Sequence, residues 1–121
     1  MAESPPRLVR AQDWTSGAPF HGHIAGKDFG ADITVLYGRF EAIGAGPPLH
    51  THPYDEVFLV QAGRARFTIG NDTLEASSGD VLFGPAEVPH KFENLGPDAF
   101  ISIDIHMSPE WIQTNLETKP S

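Results

Sequence analysis

The sequence predicts a single all-β domain. Three observations point there: 121 residues suit one compact domain, glycine and proline supply 12 and 11 of them, and short apolar runs recur between turn signals. Glycine gives turns their positive φ and proline their fixed φ, so this composition suits a chain that reverses often. Strand-like runs recur every 8–12 residues or so, the pattern of a sandwich or barrel.

In order, residues 1–7 read as a flexible start. Residues 33–41 (Ile-Thr-Val-Leu-Tyr-Gly-Arg-Phe-Glu) are β-branched and aromatic, as strands prefer. Residues 56–61 (Glu-Val-Phe-Leu-Val-Gln) form a short run expected to be buried on both faces. Ala62-Gly63 turns the chain, and residues 64–69 alternate as a half-buried strand does. Gly70-Asn71-Asp72 suits a hairpin turn, residues 73–76 return, and Val81-Leu82-Phe83 reads as another buried run. Residues 99–106 alternate, with Phe100, Ser102, Asp104 and His106 on one face and Ile101, Ile103 and Ile105 on the other. Phe58, Phe67, Leu82, Phe83 and Phe92 are expected in the core. At the C-terminus, Ser108 can cap, Pro109 can take the first helical position and Ile112 and Leu116 share a face, predicting a helix over about 109–117.

Composition also narrows function. The net charge is −8, from 16 acids against 8 bases, with no basic cluster, so nucleic acid and anionic membranes are poor partners. The absence of cysteine removes thiolate metal sites, iron–sulfur clusters, disulfides and a cysteine nucleophile. No apolar stretch approaches the ~18 residues of a membrane span and no secretory signal is visible, so a cytoplasmic protein is expected.

Without thiolates, a transition-metal site must use imidazole and carboxylate. His50 and His52 would share one strand face about 6.7 Å apart, close enough for two imidazoles to converge on one ion with bonds of about 2.1 Å. Glu56 follows four residues later. His21 and His23 repeat the spacing beside Pro19 and Gly22, where a polar loop or a supporting role is the ordinary reading. The frame around His50 is more specific. Gly44 is followed after five residues by His50-Thr51-His52, then by Glu56 and Gly63; Gly79 is followed by Pro85, His90 and Asn94.

In these residues the chain resembles the cupin family, whose two motifs carry these positions at these intervals. One position departs: Glu87 stands where the second motif has a glycine, which is tolerable if that loop avoids positive φ. The resemblance implies a double-stranded β-helix, a jelly-roll barrel, over 1–121, with one divalent transition metal held by His50, His52, Glu56 and His90. Fe or Mn is favoured, with Zn, Ni and Cu as alternatives. It also implies a homodimer and a small-molecule ligand or substrate.

Four further side chains could act in catalysis. Asp104 and His106 would bind substrate or move protons if their face points inward, and would meet solvent if the Ile row fills the core. Tyr37 and Arg39 would supply a phenol and an anion clamp, or be plain surface or interface residues. Tyr54 and Asp55 read as the turn between His52 and Glu56. The expected function is a metal-dependent oxygenase, isomerase or lyase acting on a small polar metabolite. The alternatives are a sensing barrel that works with a separate protein partner, and a storage or structural barrel with an incidental metal.

Overall fold

The computed structural model describes residues 6–15 and 22–117. A four-residue helix, α1 (Ala11–Trp14), precedes ten strands: β1 (Gly22–Ile24), β2 (Thr34–Phe40), β3 (His50–Thr51), β4 (Glu56–Ala62), β5 (Arg64–Ile69), β6 (Asp72–Ser77), β7 (Val81–Gly84), β8 (His90–Asn94), β9 (Phe100–His106) and β10 (Thr114–Asn115). They form two five-stranded antiparallel sheets, ordered β1-β2-β9-β4-β7 and β10-β3-β8-β5-β6. This is the double-stranded β-helix that the motifs imply. Among the described residues no helix is long and apolar enough to cross a membrane.

The core fills one end of the barrel. Phe58, Phe67, Phe92 and Phe100 are each at most 5% exposed, and the rings of Phe67 and Phe92 stand 5.1 Å apart. Burying each such ring stabilises the fold by about 1.5–3 kcal/mol. Asn94, at the end of β8, latches this end. Its amide donates to the carbonyls of Phe40, Glu41 and Asp98, and its Oδ1 accepts from the Gly96 N–H at 2.8 Å. The second motif's asparagine is thus structural. Gly63 of the first motif has φ +77, and a Cβ there would lie 2.4 Å from the Ala99 carbonyl oxygen, so only glycine fits.

Several sequence expectations are corrected. No helix forms over 109–117; that segment is extended and ends in β10, which pairs with β3. The local capping signals lose to long-range bonds: the Leu116 N–H donates to the Leu49 carbonyl, and the backbone of Ile112 bonds to His52 and Tyr54. A helix would withdraw these groups, and one so short gains too little by itself. Val81 and Phe83 are not core; β7 is an edge strand, and they are 63% and 55% exposed on its outer side. β4 alternates rather than being buried on both faces, with Val57 and Leu59 half-buried. Glu87 does adopt a positive φ of 67, fixed by its N–H donating to the His52 carbonyl at 2.8 Å. Residues 1–5 and His21 lie outside the described residues, while Pro6 and Arg7 are exposed and irregular.

Candidate metal centre

Two cross-strand pairs face each other at the mouth of the barrel. His50 on β3 is in register with His90 on β8 in one sheet, and Glu56 on β4 with His106 on β9 in the other. Antiparallel partners place their side chains side by side, so each sheet delivers two polar groups to the same level. His52, just after β3, closes the ring, its imidazole 4.8 Å from that of His50 and 4.4 Å from that of His106. One donor atom each from His50, His52, Glu56 and His90 lies within 4.8 Å of the others, and all four residues are buried.

The outer ring nitrogens show what the inner ones are for. His50 Nδ1 donates to the Pro48 carbonyl at 2.6 Å, His52 Nδ1 to the Ile112 carbonyl at 2.6 Å and His90 Nδ1 to the Val88 carbonyl at 3.1 Å. A carbonyl can only accept, so these Nδ1 atoms face outward as donors and each Nε2 faces inward. Glu56 Oε1 is 3.3 Å from His52 Nε2 and within hydrogen-bond geometry of His90 Nε2 at 3.1 Å. His52 Nε2 is buried without hydrogen-bond geometry to any partner. Inward-facing ring nitrogens and a carboxylate this close together suit a cation between them. The donor set therefore fits a divalent metal without identifying it.

His106 is built differently. Its Nε2 lies 3.0 Å from Glu56 Oε2, and its Nδ1 lies 2.7 Å from the Tyr54 hydroxyl. The Ile112 N–H donates to that same hydroxyl at 3.0 Å. Glu56 can only accept, so His106 Nε2–H donates to it and fixes the carboxylate from its far side, while the Tyr54 hydroxyl bridges His106 Nδ1 and the Ile112 carbonyl, 3.1 Å away, and backs the ring. Sequence reasoning missed this role for Tyr54, reading it only as part of a turn.

Charge follows from burial and contact. Burial lowers His50 from 6.5 to about 4, keeping its imidazole neutral and ready to bind. Burial would raise Glu56, but its contacts with His106, His52 and His90 outweigh that and hold it well below the usual carboxylate range. Burial also lowers His106 and pushes Tyr54 up to about 12. Burial first, and then the charge of Glu56, raise Asp104 well above 3.8.

The other sequence candidates separate. Asp104 and His106 do point inward: Phe100, Ser102, Asp104 and His106 are buried while the Ile row is half-buried. Asp104 lines a cavity of about 390 Å3 that also reaches His50, Glu56 and His106. On β2 the inward residues are Leu36, Gly38 and Phe40, in register with Asp104, Ser102 and Phe100. Tyr37 and Arg39 thus belong to the outer row. Tyr37 touches the cavity rim near Trp14, and Arg39 pairs with Glu41 at 3.1 Å. His23 lies on β1 with its ring 4.8 Å from that of Trp111. Trp111 and Gln113, from the segment expected to be helical, also line the cavity.

Comparison with known proteins agrees with this geometry. A segment of 47 residues is 43% identical to an uncharacterized protein of Streptomyces coelicolor, covering 39% of this chain and 45% of that protein. Over 66 residues, 54% of this chain and 33% of the other protein, it is 32% identical to dimethylsulfoniopropionate lyase DddQ of Ruegeria pomeroyi. The chain thus matches less than half the length of either relative. Among solved structures it resembles a Bacillus subtilis oxalate decarboxylase studied for its Mn(II) centres, with a TM-score of 0.74, 20% identity and coverage of 96% of this chain and 35% of that one. That likeness is one of fold. The sequence model of the cupin domain matches residues 38–106, more than half of the chain, and this protein belongs to the cupin domain family.

Proposed function

We propose that this protein is a mononuclear metal-dependent enzyme acting on a small polar metabolite by oxygenase, isomerase or lyase chemistry, with His50, His52, Glu56 and His90 as ligands. One observation carries the reading: all three ligand imidazoles turn Nδ1 to a backbone carbonyl, which leaves three Nε2 atoms and Glu56 converging on one point. Such second-layer bonds orient ligands and raise their basicity. Fe and Mn remain the favoured ions. The Mn(II) centres of the similar oxalate decarboxylase and the lyase activity of a relative lie within this range.

A divalent ion there supplies Lewis-acid polarisation of a substrate oxygen. The protein's own groups do the rest. Tyr54 and His106 hold Glu56 in place and keep a proton on His106 Nε2, at the edge of the cavity. Phe58 and Phe92 line the cavity and exclude water from it. Beyond the ligand set the cavity is lined by the ionisable side chains of His23, Tyr37, His106 and Asp104; the two buried ones, His106 and Asp104, are the acid–base candidates.

Elemental analysis tests the first half of this reading. Wild type should carry about one divalent ion per chain and the His50→Ala/His52→Ala double variant close to none. Turnover tests the second half: across diols, enols and hydroxy acids, activity should require the metal and vanish in His50→Ala. No uptake even after reconstitution overturns the metal site. A fully loaded protein inert across the panel overturns the enzyme and leaves a ligand-binding barrel.

A further inference from the structure

The cavity has a charge pattern that the metal site does not account for. Asp104 is only 8% exposed, lines the cavity, and has its Oδ1 buried without a hydrogen-bond partner. Ser102, two residues earlier on the same row, comes near without hydrogen-bond geometry, and its own Oγ also lacks a partner. In register, Asp104 is flanked by Leu36 on β2 and Phe58 on β4, neither of which can donate. It sits two residues along β9 from His106, hence about 6.7 Å deeper than the Glu56 and His106 pair. No lysine or arginine lines the cavity among the described residues.

A buried carboxyl oxygen without a hydrogen-bond partner, with only the Ser102 hydroxyl nearby, is an unmet recognition element. A ligand with a carboxylate or phosphate tail would meet Asp104 with no basic side chain to receive it. A ligand with a cationic donor would satisfy Oδ1 through a charge-assisted hydrogen bond and draw Asp104, which burial and the charge of Glu56 bias toward its protonated form, to the carboxylate. The chain's net charge of −8 favours cations on approach. The spacing fits a short molecule that reaches the metal ligands with one end and Asp104 with the other.

We propose that Asp104 is a substrate-recognition residue. The cavity takes a small molecule with a metal-binding oxygen group at one end and a hydrogen-bond-donating cation, in its simplest form a primary ammonium, at the other. This rests on the metal-dependent reading above and adds a substrate class to it.

The test uses protein loaded with Zn(II), which is redox-inert, and calorimetric titration with 4-aminobutanoate and pentanoate. The two differ only in an ammonium replacing a methyl group. Wild type should bind 4-aminobutanoate about tenfold more tightly or better. In Asp104→Asn, which keeps the side-chain shape, the ratio should fall to near one while zinc stoichiometry stays unchanged. Equal or tighter binding of pentanoate by wild type overturns the proposal, as does failure to bind 4-aminobutanoate. A preference that survives in Asp104→Asn overturns the role of that residue. Tighter binding of glutarate than of 4-aminobutanoate overturns the charge assignment, because Asp104 would then act as a neutral donor to an anion. If wild type takes up no zinc, the metal reading fails by itself. The amine preference is then measured on the metal-free protein, so the two failures stay distinct.

Discussion

The two ends of the barrel are made from the same strands and pack their rings at similar distances, yet they do opposite work. β4 runs from Glu56 into Phe58, β8 from His90 into Phe92, and β9 from Phe100 to His106. At the dry end Phe58 and Phe67 stand 5.1 Å apart; at the other, His50 and His90 stand 4.3 Å apart. The phenylalanines gain by leaving water. The imidazoles and Glu56 lose hydration and recover it only through backbone carbonyls and one another. Stability therefore resides at one end and binding at the other, and a few steps along a strand separate them.

The largest expected effect is at the dry end. Phe67→Ala should cost about 3–5 kcal/mol in urea unfolding, through lost transfer energy and a cavity. The fraction still folded should keep its full metal content; a collapse in stoichiometry would show that the two ends are not separable.

Acid should act at the other end. In the metal-free fold His50 titrates near 4 rather than 6.5, and His106 is lowered too. The unfolded chain then binds protons that the folded chain refuses, so stability falls as the pH drops from 6.5 toward about 4. Glu56, held low in the fold, adds a loss of the same sign as pH falls below 4.5. Asp104, raised in the fold, works the other way: it stabilises under acid, and its share is lost as pH rises above 3.8. Urea midpoints across this range should slope downward into acid, less steeply in His50→Phe. A flat wild-type profile would break this account of the histidine end.

The smallest effect concerns the loop that joins β7 to β8. Glu87→Gly should stabilise the protein by about 1 kcal/mol, since glycine takes its left-handed conformation without a Cβ penalty. Thermal unfolding would detect this, and no change would mean that the penalty is already relieved in the native loop.

Motif spacing made the cluster of His50, His52, Glu56 and His90 legible because strand geometry fixes which side chains share a face. It did not say which face of β9 is inside. The Ile row looks like core, but it forms an outer surface in register with Val57 and Leu59 of β4, while Phe100, Ser102, Asp104 and His106 turn inward. Tyr54 was hidden for a different reason: its partners, His106 and Ile112, lie more than fifty residues away along the chain. The C-terminal helix was wrong because capping signals are local, whereas the bonds that hold 109–117 extended reach back to Leu49, His52 and Tyr54.

The Ile112 carbonyl has a consequence for the order in which the molecule is completed. During synthesis all four residues of the His50, His52, Glu56 and His90 cluster have been incorporated once residue 90 is added. The carbonyl that His52 Nδ1 meets belongs to Ile112, sixty residues farther along the chain. Until that stretch docks, the His52 ring is free to present either nitrogen. The growing chain holds every residue of the cluster well before it holds the segment that His52 leans on.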